Sequence, residues 1–244
     1  MGLLAELAPE PFESGAASYD FDFDWTTTAQ PIPSSADVLH IGSAGAWLTP
    51  GADAVRALVR KTGGRATITF DPNIRPMLVT NPDETRERIE ELAALADIVK
   101  LSDEDLRWLR PGEPFDNAPA AWLAGGAKLV VITLGSEGAL AFTRDYTVHI
   151  AGTPTTVVDT VGAGDTFMAT LLASLGDRQD LQSGGLADVA SINPKQLTAV
   201  LRRCVDAAAI TVARKGMNPA WRSELRAISE YIDGPFDDQA SLLV

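Results

Sequence analysis

Residues 159–165 read DTVGAGD and lead into TFMATLLASL (166–175), whose apolar residues recur at helical spacing. Backbone N–H groups in the first turn of a helix lack intrahelical acceptors, and the macrodipole is positive there. Gly162, Ala163 and Gly164 therefore form a natural cradle for an anion such as phosphate. Asp165 is the odd member, because a carboxylate beside an anion is repelled by it. It is either a helix-start residue or a base that takes a proton from a nucleophile attacking that phosphate.

Upstream of this turn, short apolar runs alternate with amphipathic segments. Strands are expected at 37–41, 66–70, 98–101 and 129–133, with helices at 51–61, 83–95 and 116–124 between them. That alternation predicts an α/β fold with a mostly parallel central sheet covered by helices. A hairpin is expected at 139–143 and 147–150, and long helices at 163–175 and 194–214. Near the start, Tyr19, Phe21, Phe23 and Trp25 alternate with Asp20, Asp22 and Asp24, the pattern of a strand with one wet face. The last residues, GPFDDQASLLV, read as a loosely held tail.

Composition narrows the partners. The 244-residue chain has a formal net charge of −13, which argues against duplex nucleic acid or an anionic membrane, since both reward Lys and Arg clusters. The single cysteine, Cys204, excludes a disulfide framework and reads as a buried thiol of a cytosolic, hence cytoplasmic, protein. His40 and His149 are too few and too far apart for a zinc cluster.

Ligand sites in parallel sheets gather at the carboxyl ends of strands, and four such loops carry polar signatures. They are DPNIRP (71–76), KLSDED (100–105), ITLGSEG (132–138) and DTVGAGD. In this order and spacing they resemble the ribokinase-like (PfkB) family of ATP-dependent carbohydrate kinases, and most closely its fructokinase branch. The similarity runs from about residue 18 to 225. Neither the Walker pattern nor the GxGxxG loop of protein kinases is present, as expected for that family.

The resemblance carries roles onto individual positions. It implies a sugar kinase that uses ATP and Mg2+, with fructose as the expected acceptor and 2-keto-3-deoxygluconate, ribose or a nucleoside as alternatives. Asp165 matches the catalytic base, and Gly162, Ala163 and Gly164 match the anion hole. Asp159 matches a monovalent-cation position, which implies K+, although a capping acid before a turn is an equal reading. Thr133, Gly135, Ser136 and Gly138 match the nucleotide loop, and Asn218 in RKGMNP is the expected neighbour of the base. Ser102 and Asp105 stand where many relatives have Asn and Glu near the magnesium, so contact through water is expected. Asn73 and Arg75 are expected to face the acceptor or the transferring phosphate.

The same resemblance implies a preceding segment, on the scale of a small domain, that holds an early sugar-binding Asp and a Gly-Gly plus Asn motif. Truncated in this way relative to the family, the chain is expected to comprise one ribokinase-like domain. Its parts would be a β-lid remnant at about 15–30, a main body at 37–230 and a tail at 231–244. An incomplete coding region is the expected reason, with a degenerate copy or a chain completed by a partner as alternatives. A homodimer through the lid strand is the expected association, and a nucleotide-binding remnant without catalysis is the rival function.

Overall fold

The structure is a computed structural model that describes residues 36–176, 189–226, 230 and 240–243. Seven strands form one sheet whose spatial order equals their order in the chain. They are β1 (Val38–Gly42), β2 (Thr67–Asp71), β3 (Ile98–Ser102), β4 (Leu129–Thr133), β5 (Ala139–Phe142), β6 (Thr147–Ile150) and β7 (Ala240–Leu243). The first four run parallel and the last three antiparallel. The expected strands agree with these to within a residue at each end. Within the stretch read as a tail, β7 pairs with β6 from Thr147↔Leu243 to Ile150↔Ala240. The aromatic alternation at 19–25 lies outside the described residues.

Among the described residues, seven α-helices accompany the sheet: α1 (Ala44–Trp47), α2 (Ala52–Thr62), α3 (Pro82–Leu95), α4 (Asp103–Leu109), α5 (Asn117–Gly125), α6 (Ala163–Gly176) and α7 (Pro194–Val212). The long ones start where their sequences say they should. Asn81 accepts from the Glu84 N–H with Pro82 in the first turn, and Asn193 forms a capping box with Gln196 ahead of Pro194. Residues 194–214 were expected to be helical throughout, but α7 ends at Val212, and the following residues turn back over the α6 terminus. The short helices α1 and α4 were not expected, because four and seven residues are too few for a periodic pattern to show.

Strand alternation divides the core into two layers. On one face Ile68, Phe70, Val99, Leu101, Val130 and Ile132 pack with α1 to α5. On the other, Ile98, Leu129, Val131, Val148 and Ile150 pack with Phe167, Leu171 and Leu175 of α6 and Leu197, Val200 and Leu201 of α7. The parity has a chemical consequence toward β1 and β2. There the residues that alternate with the first layer are Val38, His40 and Gly42 on β1, and Thr67, Thr69 and Asp71 on β2, and of these only Val38 is apolar. No helix among the described residues is long and apolar enough to cross a membrane.

Candidate active site

The α6 start is held by a staple. The Val158 and Asp159 N–H groups both donate to the Val212 carbonyl, at 2.7 and 3.1 Å. The Asp159 carboxylate accepts from Val161 N–H through one oxygen and from Gly216 N–H through the other, each at 3.0 Å. These bonds to the charged form hold its pKa below the usual aspartate value. Asp159 thus ties the 157–162 loop to the turn beyond α7.

At the turn itself Gly162 has φ +81°, a conformation that side chains rarely adopt, and a Cβ there would lie 2.6 Å from Met217 Cγ. Its carbonyl accepts from Thr166 N–H at 2.8 Å, which starts the helix. The three residues read as an anion hole are not equivalent. Ala163 N–H is directed to the Thr160 carbonyl at 3.3 Å, whereas the amides of Gly162, Gly164 and Asp165 have no acceptor among the described residues. Gly164 matters for another reason: a Cβ there would stand 3.0 Å from Lys100 Nζ. An ammonium therefore lies against the first turn of α6.

Two cavities flank this turn. The first, of about 410 Å³, runs past Thr133, Gly135, Ser136 and Gly138 and is lined at its inner end by Ala163 and Gly164. Its far wall is apolar, made by Val205, Ala208, Ala209 and Val212 of α7. Gly138 has no room for a side chain, since a Cβ would come 1.9 Å from the Ile150 carbonyl oxygen. The second cavity, of about 400 Å³, is lined by His40, Gly42, Ser43, Asp71, Asn73 and Asp165, with Met168, Ala169 and Leu172 of α6 behind them. Asp165 is exposed toward it and makes no hydrogen bond among the described residues. Both volumes lie in the range of small-molecule sites, roughly 300–1,000 Å³.

The second cavity carries a cluster of charges. Lys100 Nζ donates to Asp71 Oδ2 at 2.8 Å, and both side chains are buried. Burial pushes the Asp71 carboxyl above its ordinary pKa, opposed by Lys100. His40 Nδ1 lies 2.9 Å from Thr69 Oγ1. Desolvation holds the imidazole below its usual pKa, against the opposing pull of Asp71.

Other expected residues sit differently. Ser102 and Asp105 form the capping box of α4, and both Asp105 oxygens accept backbone N–H groups, from Ser102 at 3.0 Å and Ile74 at 2.8 Å. The carboxylate thereby fastens the 71–76 loop. A buried acid engaged at both oxygens is poorly placed for direct metal ligation. Among the described residues, no group of three His, Cys, Asp or Glu side chains gathers for a metal ion. Asn218 is exposed and lies outside the lining of the first cavity, whose inner wall comes from α7 instead. Asn73 lines the second cavity with φ 41°, whereas Arg75 does not line it and donates to the Ile74 carbonyl at 3.3 Å.

Sequence reasoning passed over Thr153, Pro154 and Thr155, the α7 wall, His40, Asp71 and Lys100. A signal existed for the last two. Lys100 interrupts the apolar run IVKL, and Asp71 ends the run TITF one strand away. A charge inside a buried strand calls for an opposite charge on its neighbour.

Comparison with known proteins agrees with this geometry. The sequence profile of the pfkB family carbohydrate kinases matches residues 13–223. A fructokinase of Rhizobium leguminosarum bv. trifolii is 42% identical over 169 residues, which is 66% of this chain and 52% of the relative. A probable fructokinase-3 of Arabidopsis thaliana is 35% identical over 198 residues, 80% of this chain and 54% of the relative. The chain thus spans about half the length of these relatives. Among solved structures, fructokinase with bound ATP from Xylella fastidiosa superposes with a TM-score of 0.66 at 25% identity, over 82% of this chain and 61% of that one. A Vibrio cholerae O395 fructokinase double mutant with fructose, ADP and potassium bound gives 0.64 at 26% identity, over 75% and 56%. With a family profile matched across most of its length, and with the α6 turn and its two cavities in one ribokinase-like sheet, the chain belongs to the pfkB family of carbohydrate kinases.

Proposed function

We propose that the chain is an ATP-dependent sugar kinase that transfers the γ-phosphoryl group to a primary hydroxyl, with fructose as the acceptor. One observation carries the reading: the two cavities meet at consecutive residues, Ala163 and Gly164 lining one and Asp165 the other. A donor in the first and an acceptor in the second would put the transferring phosphoryl group at the α6 terminus. The free amides of Gly162, Gly164 and Asp165 would stabilise charge on its oxygens. Asp165 would take the proton of the acceptor hydroxyl as its oxygen attacks phosphorus and the bond to the departing ADP breaks.

Thr133, Gly135, Ser136 and Gly138 would border the nucleotide, and the apolar α7 wall would suit a purine face. Magnesium, when bound, neutralises charge on the phosphates. Because Asp105 is already engaged, that ion would be held chiefly by phosphate oxygens and water. A potassium ion beside Asp159 is part of the proposal, supported by the potassium bound in the Vibrio cholerae fructokinase. The lid strand at 15–30 and dimerisation through it belong to the same proposal.

The test is ADP formation from MgATP across a panel of sugars, with wild type and Asp165→Asn. The expected loss is about 10²–10⁴-fold in kcat for the variant, and equal rates would remove Asp165 from the chemistry. A second reading, a nucleotide-binding protein without turnover, draws on the acceptor cavity bordering β1, the outermost strand of the sheet among the described residues. Calorimetry separates the two: nucleotide binding without sugar-dependent ADP release would favour the second.

A further inference from the structure

The residues of β2 that alternate with Ile68 and Phe70 are Thr67, Thr69 and Asp71, and all three are buried. Thr69 is paired through its hydroxyl with the His40 ring. Asp71 is a harder case, because an ionised carboxylate in such a place needs a partner for each oxygen. Lys100 answers for Oδ2 at 2.8 Å, with side chains only 5% and 8% exposed. Oδ1 is buried and has no hydrogen-bond partner among the described residues. Asp71 also lines the second cavity together with Asp165 and Asn73. An unpaired buried carboxylate oxygen on a residue that lines a cavity is one that a small side-chain rotation presents to a ligand donor.

We propose that Asp71, held in place by Lys100, is an acceptor-binding residue whose Oδ1 receives a hydrogen bond from a non-reacting hydroxyl of a polyhydroxylated acceptor. Asp165, on the opposing helix and lining the same cavity, then takes the reacting hydroxyl. The assignment rests on the kinase reading above. It gives the acceptor two carboxylate contacts that differ in kind. Asp165 is exposed and has no fixed partner, so it is free to take up a proton. Asp71 is pinned by an ammonium and serves to orient. Lys100 is a donor only, so it fixes one Asp71 oxygen, while the other has no partner among the described residues.

The experiment is steady-state kinetics of the full chain with fructose and its monodeoxy analogues, on wild type, Asp71→Asn and the double variant Asp71→Leu/Lys100→Met. The double variant replaces the ion pair with apolar groups of similar volume and leaves no buried charge unpaired, so it separates loss of the contact from loss of the fold. The expected result for both variants is a rise of about 10- to 100-fold in the acceptor KM, the loss for a hydrogen bond to a charged group, with the ATP KM unchanged in Asp71→Asn, which keeps the Lys100 ammonium against the α6 turn. One deoxy analogue should bind wild type less well by the same factor and the variants no differently from fructose. An unchanged acceptor KM, an ATP KM that rises in step with it in Asp71→Asn, or the absence of any such analogue would overturn the assignment. Wild type that turns over no sugar would overturn the kinase reading itself, and this assignment with it.

Discussion

At the residue scale, the α6 turn is demanding because several small positions are each filled by something. Gly162 combines a positive φ with Met217 pressed against it, and Gly164 has Lys100 Nζ beneath it. These two constraints differ. Lys100 is the far end of a flexible chain and can yield by a few tenths of an ångström, whereas the Gly162 backbone cannot change sign without moving the loop. Gly162→Ala is therefore expected to raise the ATP KM by about tenfold or more, with strain on the order of 1–3 kcal/mol at the turn. Adding Met217→Ala should recover only part of the loss, because it removes the clash and leaves the φ penalty. Full recovery in the double variant, measured by the same kinetics, would show that the steric contact alone was responsible.

At the element scale, the staple between the 157–162 loop and the turn after α7 runs through one half-buried acid, Asp159. Its folded pKa is depressed by the Val161 and Gly216 amides. A depressed acid contributes its stabilisation above the ordinary value of 3.8 and loses it as pH falls through the lower folded value. Hydrogen exchange at the Val161 and Gly216 amides should thus stay protected from neutral pH to about pH 4. Asp159→Ala should remove that protection at every pH while leaving the β2 to β4 amides protected.

How far such elements can be read from sequence depends on period. The strands β1 to β6 and the helices α2, α3, α5, α6 and α7 announced themselves through apolar runs alternating with amphipathic segments. Helix α4 is too short to carry a pattern. Ser102 was legible both as a possible helix cap and, with Asp105, as a residue out of place in a family motif, but not as half of a capping box. The loops of the site were legible because their polar residues stand directly after apolar strands. The Asp71–Lys100 pair was not, because its two members are 29 residues apart and meet only through strand pairing that no local pattern specifies. Asn218 illustrates the opposite failure, where a position borrowed by resemblance turns outward on an exposed turn.

At the scale of the whole molecule, the two core layers are joined through the strands they share, so a defect in one should be felt by the other. Leu171 of α6 is fully buried in the second layer, as is Cys204 of α7. Burial raises the Cys204 thiol far above its ordinary pKa, so in the native state it should be inert to alkylating reagents. Leu171→Ala should cost about 2–5 kcal/mol in stability. If Cys204 is reached only by global unfolding, the same variant should speed its labelling by roughly thirtyfold or more. Labelling that outpaces the measured loss of stability would reveal a local opening of α6 and α7.

The sheet's spatial order has a consequence for how the chain is made. Because β1 to β7 lie side by side in the order in which they are synthesised, each new strand meets an edge that already exists. Among the described residues, no strand has to be threaded between two older neighbours. During translation this part of the sheet can extend from β1 toward β7, burying each crossover helix as it emerges. The antiparallel hairpin of β5 and β6 then forms on a finished parallel platform, and only after it does the residue that would draw a proton, Asp165, leave the ribosome.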